Sequence, residues 1–111
     1  MSCQGGACAP GAQMFQECIE GNWNATEAAI ETLVWTSAPG HYVQGTFKLF
    51  NSAGSVAVAT GEVGGVQEVT ITAAPGFTIA AAAQGPTGFT IEAATGSSGS
   101  YCITLYKRVL A

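Results

Sequence analysis

Val69-Thr70-Ile71-Thr72-Ala73-Ala74-Pro75-Gly76-Phe77-Thr78-Ile79-Ala80-Ala81 places two alternating runs on either side of an Ala-Pro-Gly break. Successive side chains of a strand point to opposite faces, so Val69, Ile71 and Ala73 share one face while Glu68, Thr70 and Thr72 share the other. Phe77, Ile79 and Ala81 repeat the pattern after the break. Pro and Gly punctuate such runs as a turn, and the pair is read as a hairpin. A period of 3.6 is absent, so the stretch is β and not helix.

The same reading extends in both directions. Downstream, Gly85-Pro86 opens a turn, and Phe89, Ile91 and Ala93 alternate with Thr90 and Glu92. The Gly/Ser cluster at 96–99 then leads into Tyr101-Cys102-Ile103-Thr104-Leu105-Tyr106, where Ile103 and Leu105 mark the inward face. Upstream, Val43, Phe47 and Leu49 share one phase, and Val56 and Val58 share another beyond Asn51-Ser52-Ala53-Gly54. That segment has the composition of a hairpin turn, so these two strands are expected to pair as antiparallel neighbours.

Asn24 to Val34 is the ambiguous segment, with an N-cap residue followed by helix formers. Glu27 and Glu31 would repel at i, i+4 in a helix, and Ile30, Thr32, Val34, Trp35 and Thr36 favour a strand. A strand is expected over Ile30 to Thr36, with room for a short helical turn at 26–29. The total is about eight strands. The expected fold is all-β, an eight-stranded jelly-roll sandwich over residues 15–111 behind a flexible connector over residues 1–14.

Composition bounds the function. A chain of 111 residues supports one core. Only 9% of residues are charged against 48% hydrophobic, and the seven acidic residues, all Glu, outweigh Lys48, Lys107 and Arg108 for a net charge of −4. Soluble domains carry about 25% charged residues, so much of this surface is neutral and suited to contact with copies of itself. Nucleic acid is a poor partner for an acidic surface. No apolar run is long enough to span a membrane, and the N-terminus has neither a basic region nor an apolar one, so neither a membrane span nor a secretory signal is readable.

The four cysteines divide into two pairs. Cys3 and Cys8 lie in SCQGGACAPGAQ, a Gly-rich leader without charge or apolar alternation, which reads as a tether. Cys18 and Cys102 lie in the domain. With Ile19 and Trp23 inward, Cys18 points outward beside Glu20; with Ile103 and Leu105 inward, Cys102 points outward beside Thr104. A core disulfide needs the inward phase, so both are candidate acceptors for thiols from outside. Bridges of Cys18 to Cys102 and of Cys3 to Cys8 within one chain remain an open alternative, since four cysteines allow three connectivities. A zinc site of all four is weaker, because no C-x-x-C knuckle exists and the separation of Cys18 from Cys102 fits no common spacing.

No catalytic constellation emerges. His41, the single histidine, follows Pro39-Gly40 and reads as a loop or strand-edge residue. Without Asp, a Ser-His-Asp triad and the usual calcium cages are excluded. Gly45, Gly61, Gly64 and Gly65 lack the Lys and the helix of a phosphate loop. Asn24-Ala25-Thr26 matches a glycosylation sequon of a kind common by chance. No enzyme, cofactor or metal is expected. Tyr42, Trp35 and Tyr106 admit a second reading, a secreted β-sandwich that binds carbohydrate or acts as an adhesin.

The Cys-containing leader, the Cys18 to Trp23 element, the Ala74-Pro75-Gly76 turn before an apolar strand and the terminal Gly99 to Tyr106 strand together resemble the endospore appendage (Ena) pilins of Bacillus-type spores. The resemblance covers essentially the whole chain. It implies a structural pilin: a jelly-roll domain joined laterally by strand augmentation, with an N-terminal connector disulfide-bonded to subunits of the next ring or turn. Carried over by position, Cys3 and Cys8 are the connector thiols and Cys18 and Cys102 their acceptors. The family often places adjacent cysteines in the connector of helically staggered subunits, whereas four residues separate Cys3 from Cys8. That spacing points to the ladder-like, stacked-ring form. The implied partners are copies of this chain, with other spore-surface or tip proteins as further candidates, and the implied location is the spore surface as an extracellular fibre.

Overall fold

The computed structural model describes residues 12–110. Eight strands follow in order: β1 (Ala12–Ala25), β2 (Ile30–Thr36), β3 (Gln44–Asn51), β4 (Ala59–Gly65), β5 (Val69–Ala73), β6 (Thr78–Gln84), β7 (Pro86–Ala93) and β8 (Ser97–Leu110). They form two four-stranded antiparallel sheets, ordered β1-β8-β3-β6 and β2-β7-β4-β5, called here the first and second sheet. Strand 1 pairs with 8, 2 with 7, 3 with 6 and 4 with 5, the pairing of one long hairpin rolled on itself. The expected all-β class and strand number are therefore found, with no helix among the described residues.

The alternating residues meet between the sheets. Phe47, Leu49, Ile103 and Leu105 from the first sheet and Phe89 and Ile91 from the second are fully buried. Phe47 and Phe89 meet across the layers at 5.1 Å between centroids, tilted by 47°. Gly61 makes this possible: a Cβ there would stand 2.8 Å from the Phe89 ring. Burial of large apolar side chains at roughly 1.5–3 kcal/mol each is the main stabilising term.

Two expected hairpins are corrected. Strands β5 and β6 do not pair: β5 lies against β4 in the second sheet and β6 against β3 in the first. The Ala74–Gly76 turn, with Gly76 at φ +86°, carries the chain from one layer to the other. Nor are β3 and β4 neighbours. Segment 52–58 is a second crossing, and Val56 and Val58 are exposed on it rather than inward. The ladder starts at Ala59, where the inward phase switches from even to odd positions through Ala59, Gly61 and Val63. Asn51, fully buried at the end of β3, holds this crossing, its Nδ2 donating to the carbonyls of Ala57 at 2.8 Å and Ala73 at 2.9 Å.

The ambiguous segment resolves as a strand over Ile30–Thr36, with a bulge between Leu33 and Trp35. Ahead of it, Asn24 Oδ1 accepts from the Thr26 amide at 2.8 Å, a local Asx turn in place of a helical one.

Strands β1 and β8 are each 14 residues long, against eight for β3. Past Gln44, the first residue of β3, they continue as a two-stranded ribbon pairing Ala12–Phe15 with Lys107–Leu110, so residues 12–14, on the connector side of the expected boundary, lie in a ladder. A lone ribbon is marginal in water. Its base is braced by Tyr42, whose hydroxyl donates to Glu17 Oε2 at 2.7 Å and whose ring lies 5.9 Å from Lys107 Nζ.

Candidate disulfide acceptor face

The outer face of the first sheet carries both domain thiols. On β1, Cys18 stands opposite Thr104; on β8, Cys102 stands opposite Glu20 on one side and Lys48 of β3 on the other. Cys18 is exposed and Cys102 half-buried, and both are free. The outward phase expected from Ile19, Trp23, Ile103 and Leu105 places them there, since Ile103 and Leu105 are fully buried and Trp23 nearly so.

The two thiols are offset by two residues across neighbouring strands, which makes them diagonal neighbours. Such positions lie about 7–8 Å apart, whereas a disulfide draws its Cα atoms to about 5.5–6 Å. Closing Cys18 onto Cys102 would need the two strands to shift. In this register the two thiols are not placed to bond to each other.

Access differs between them. Gln16 Nε2 donates to Cys18 Sγ at 3.7 Å along the outer face of the edge strand β1. Cys102 sits between two shallow hollows, one of about 430 Å³ beside Glu20, Asn22 and Ser100, the other of about 270 Å³ beside Lys48, Phe50 and Thr78. The small side chains Ser100 and Cys102 between longer neighbours create both. Cys102 thus lines a hollow on each side. Cys3 and Cys8 lie outside the described residues.

The remaining candidates fall elsewhere. His41 packs edge-on against Tyr42 at 4.7 Å, at the ribbon end of the sandwich. Tyr42 is buried and Trp35 half-buried, the two rings 5.8 Å apart and tilted by 54°, with Trp35 also 5.9 Å from Phe47. They form an internal cluster rather than a flat outer platform. Among the described residues, no group of three or more His, Cys, Asp or Glu is placed to hold a metal ion.

Two polar features were not foreseen. The Tyr42 phenol is held above its usual pKa by its hydrogen bond to Glu17, then by burial and by the Glu17 charge. On the outer face of the second sheet, Glu31 of β2 stands directly opposite Glu92 of β7. The Glu31 charge raises the Glu92 pKa, with smaller contributions from desolvation, Glu62 and a hydrogen bond to Glu31. Sequence alternation puts each Glu outward; only knowledge of the β2–β7 register brings them together.

A family model described as endospore appendages matches residues 6–109. The chain belongs to the endospore appendage family. The solved structure described as "Bacillus endospore appendages form a novel family of disulfide-linked pili" superposes with a TM-score of 0.71 at 20% identity, covering 95% of this chain and 97% of that one. At that identity the likeness establishes the fold. FlhE overlaps over 87% of this chain and 97% of its own at 8% identity and a TM-score of 0.44, too weak to bear on the argument. No curated relative matches the chain. Membership makes this an appendage subunit, a structural protein of spore-surface fibres.

Proposed function

We propose that the chain assembles with copies of itself into a disulfide-cross-linked fibre through two kinds of contact. Along the fibre, residues 1–11, which precede the β1 ladder, act as a connector, and Cys3 and Cys8 bond to Cys18 and Cys102 of subunits in the next ring or turn. Each bond releases two protons and two electrons, accepted by molecular oxygen or by a small-molecule disulfide. The observation that carries this reading is the diagonal placement of two free thiols on one outer face, unsuited to each other and open to a neighbour. The five-residue step from Cys3 to Cys8 spans at most about 17 Å, enough to cover a diagonal pair with slack from Gly5 and Gly6, which supports the stacked-ring form.

Around the fibre, subunits join by β-augmentation. The free edges are β1 and β6 of the first sheet and β2 and β5 of the second. Unprotected edges invite pairing, and charges or prolines block it. Strand β6, Thr78–Gln84, carries neither; β2 matches its seven residues and lies on the other flank of the sandwich. Pairing β6 of one copy with β2 of the next repeats without self-closure of a dimer and generates a ring or helix.

This subunit has a structural role and is not an enzyme. The alternative of a sugar-binding module loses its platform because Tyr42 and Trp35 are turned into the core. Disulfide mapping by mass spectrometry under non-reducing conditions tests the proposal. Peptides linking Cys3 or Cys8 to Cys18 or Cys102, formed between isotopically light and heavy copies, support it. Bridges confined to single chains overturn it.

A further inference from the structure

We infer that Gln67 is a register stop for the lateral joint: it closes one end of the β6 edge, so that a strand from a second copy pairs only along Thr78–Ala82. This rests on the β6–β2 pairing proposed above and adds what fixes its alignment. Strand β6 reads Thr78-Ile79-Ala80-Ala81-Ala82-Ala83-Gln84, and β2, at seven residues, is long enough to lie along it in several registers. A slip of one residue exchanges the two faces, but a slip of two keeps them. The alanine run offers successive registers nearly the same side chains, so side-chain fit does little to separate them.

The open groups of the edge follow from the β3–β6 ladder. Residues facing each other in an antiparallel pair alternate between those that exchange backbone hydrogen bonds and those that do not. The Asn51 amide donates to the Phe77 carbonyl at 3.1 Å, and the Gly85 amide to the Val43 carbonyl at 3.0 Å. The odd-numbered residues of β6 therefore bond to β3, and Thr78, Ala80, Ala82 and Gln84 turn their amides and carbonyls to the edge. The first three are exposed on it. Gln84 is already engaged: its amide donates to Gln67 Oε1 at 3.1 Å, and its carbonyl accepts from the Gln67 amide at 3.3 Å.

Gln67 thus occupies the place that the next residue of an incoming strand would take. The chain beside it holds it there. The Val66 amide donates to the Gly85 carbonyl at 3.2 Å, and Gly85, at φ +55°, approaches so closely that a Cβ on it would meet Val66 Cγ2 at 2.7 Å. At its other end the edge stops at the Ala74–Phe77 turn, where the Phe77 amide returns to the Ala74 carbonyl at 3.0 Å and Pro75 has no amide to offer. What remains is a window of one length. A neighbour shifted two residues towards Gln84, about 7 Å at about 3.4 Å per residue, would have to displace Gln67 or leave backbone groups unpaired. Charges and prolines are the usual guards of an edge; here a glutamine guards only its end, which leaves the rest free to pair.

The experiment uses the full chain. Amide hydrogen exchange is followed by NMR, in solution for unassembled subunits and under magic-angle spinning for fibres. The Gln84 amide is expected to be protected in both states, and the Thr78, Ala80 and Ala82 amides to gain about tenfold protection or more on assembly. Lateral register is read from contacts between nitrogen-labelled and carbon-labelled copies in mixed fibres. Wild type should show one set of contacts across the joint. Folded Gln67→Ala should show a second set offset by two residues, with neighbours displaced by about 7 Å in cryo-electron microscopy. Gln67→Glu keeps an acceptor at that atom and should return to one set. A single wild-type register in folded Gln67→Ala overturns the inference and leaves the β6–β2 pairing standing, as does a Gln84 amide that exchanges as fast as that of Ala82 in the unassembled subunit. Edge amides that gain no protection on assembly overturn the lateral pairing and the register stop with it.

Discussion

Cys102 stands opposite Glu20, and Cys18 stands opposite Thr104, so the two thiols occupy diagonal corners of one patch on the β1–β8 ladder. The first prediction follows from that offset. In the Cys3→Ser/Cys8→Ser variant, folded and unassembled, both remaining thiols should react with iodoacetamide, Cys18 faster because it is the more exposed. Mild oxidation should leave them unpaired within the chain. A quantitative Cys18–Cys102 bridge in this variant, read by mass spectrometry, would contradict the diagonal argument. In wild-type fibre both thiols should resist alkylation until reductant is added.

Tyr42 ties the β2–β3 connection to β1 at the root of the ribbon. Replacing it by Phe removes one hydrogen bond to an exposed carboxylate and keeps the ring, which should cost about 1 kcal/mol. The pH dependence has a definite sign. The folded pKa of Tyr42 is raised, so the neutral phenol is favoured in the fold. That contribution is complete below the unfolded value of about 10 and is lost as pH rises through the folded value. Wild type and Tyr42→Phe should therefore converge in melting temperature above pH 10. A gap that widens there would refute the assignment.

Glu31 and Glu92 oppose each other on the outer face of the second sheet, a like-charge pair that disfavours the strand pairing. Because the folded Glu92 pKa is raised, its protonation stabilises the fold. That stabilisation is fully present below the unfolded carboxylate value and is lost as pH rises through the raised one. Glu92→Gln should melt higher than wild type at neutral pH, with the difference vanishing under acid conditions. An equal or lower melting temperature at pH 7 would show that the repulsion is relieved by solvent.

The strand inventory and the facing of the domain cysteines were legible because period-2 alternation is a local signal: Phe89, Ile91, Ile103 and Leu105 declare their phase within six residues. Sheet membership was not legible. Ala74-Pro75-Gly76 reverses the chain equally well within a sheet or between two, and the choice is made by distant partners, β4 for β5 and β3 for β6, while β8 and β6 take both places beside β3 and leave none for β4. Val56 and Val58 imitate a strand because alternation does not record whether a backbone partner exists. The Glu31–Glu92 pair and the Tyr42–Glu17 bond depend on registers between segments dozens of residues apart, which no single-sequence pattern encodes. The small residues that open the hollows around Cys102 were visible as Ser100 and Cys102, but their depth depends on Lys48 and Phe50 from β3.

Asn51 provides the most demanding stability test. Its amide nitrogen donates to two carbonyls, Ala57 on the crossing to β4 and Ala73 at the end of β5, and so joins the first sheet to two segments of the second layer. Both bonds are at good distance; the one to Ala73 is buried, so water does not replace the lost donor there, and the one to Ala57 is half-buried. An unsatisfied buried acceptor costs about 1–3 kcal/mol, which sets the expected loss for Asn51→Ala at about 3 kcal/mol. Asn51→Asp should be worse at neutral pH despite equal size, because a carboxylate would face two carbonyl oxygens. In urea unfolding with a slope of about 1–3 kcal/mol/M, the alanine variant should lose about 1–3 M in midpoint with the slope unchanged. The crossing that Asn51 anchors carries the exposed Val56 and Val58, so amide hydrogen exchange over 52–58 should accelerate more than over β8. A midpoint shift below about 0.3 M, or exchange accelerating uniformly across the domain, would mean that the crossing is held by the Ser52 and Ser55 contacts to Ser98 alone.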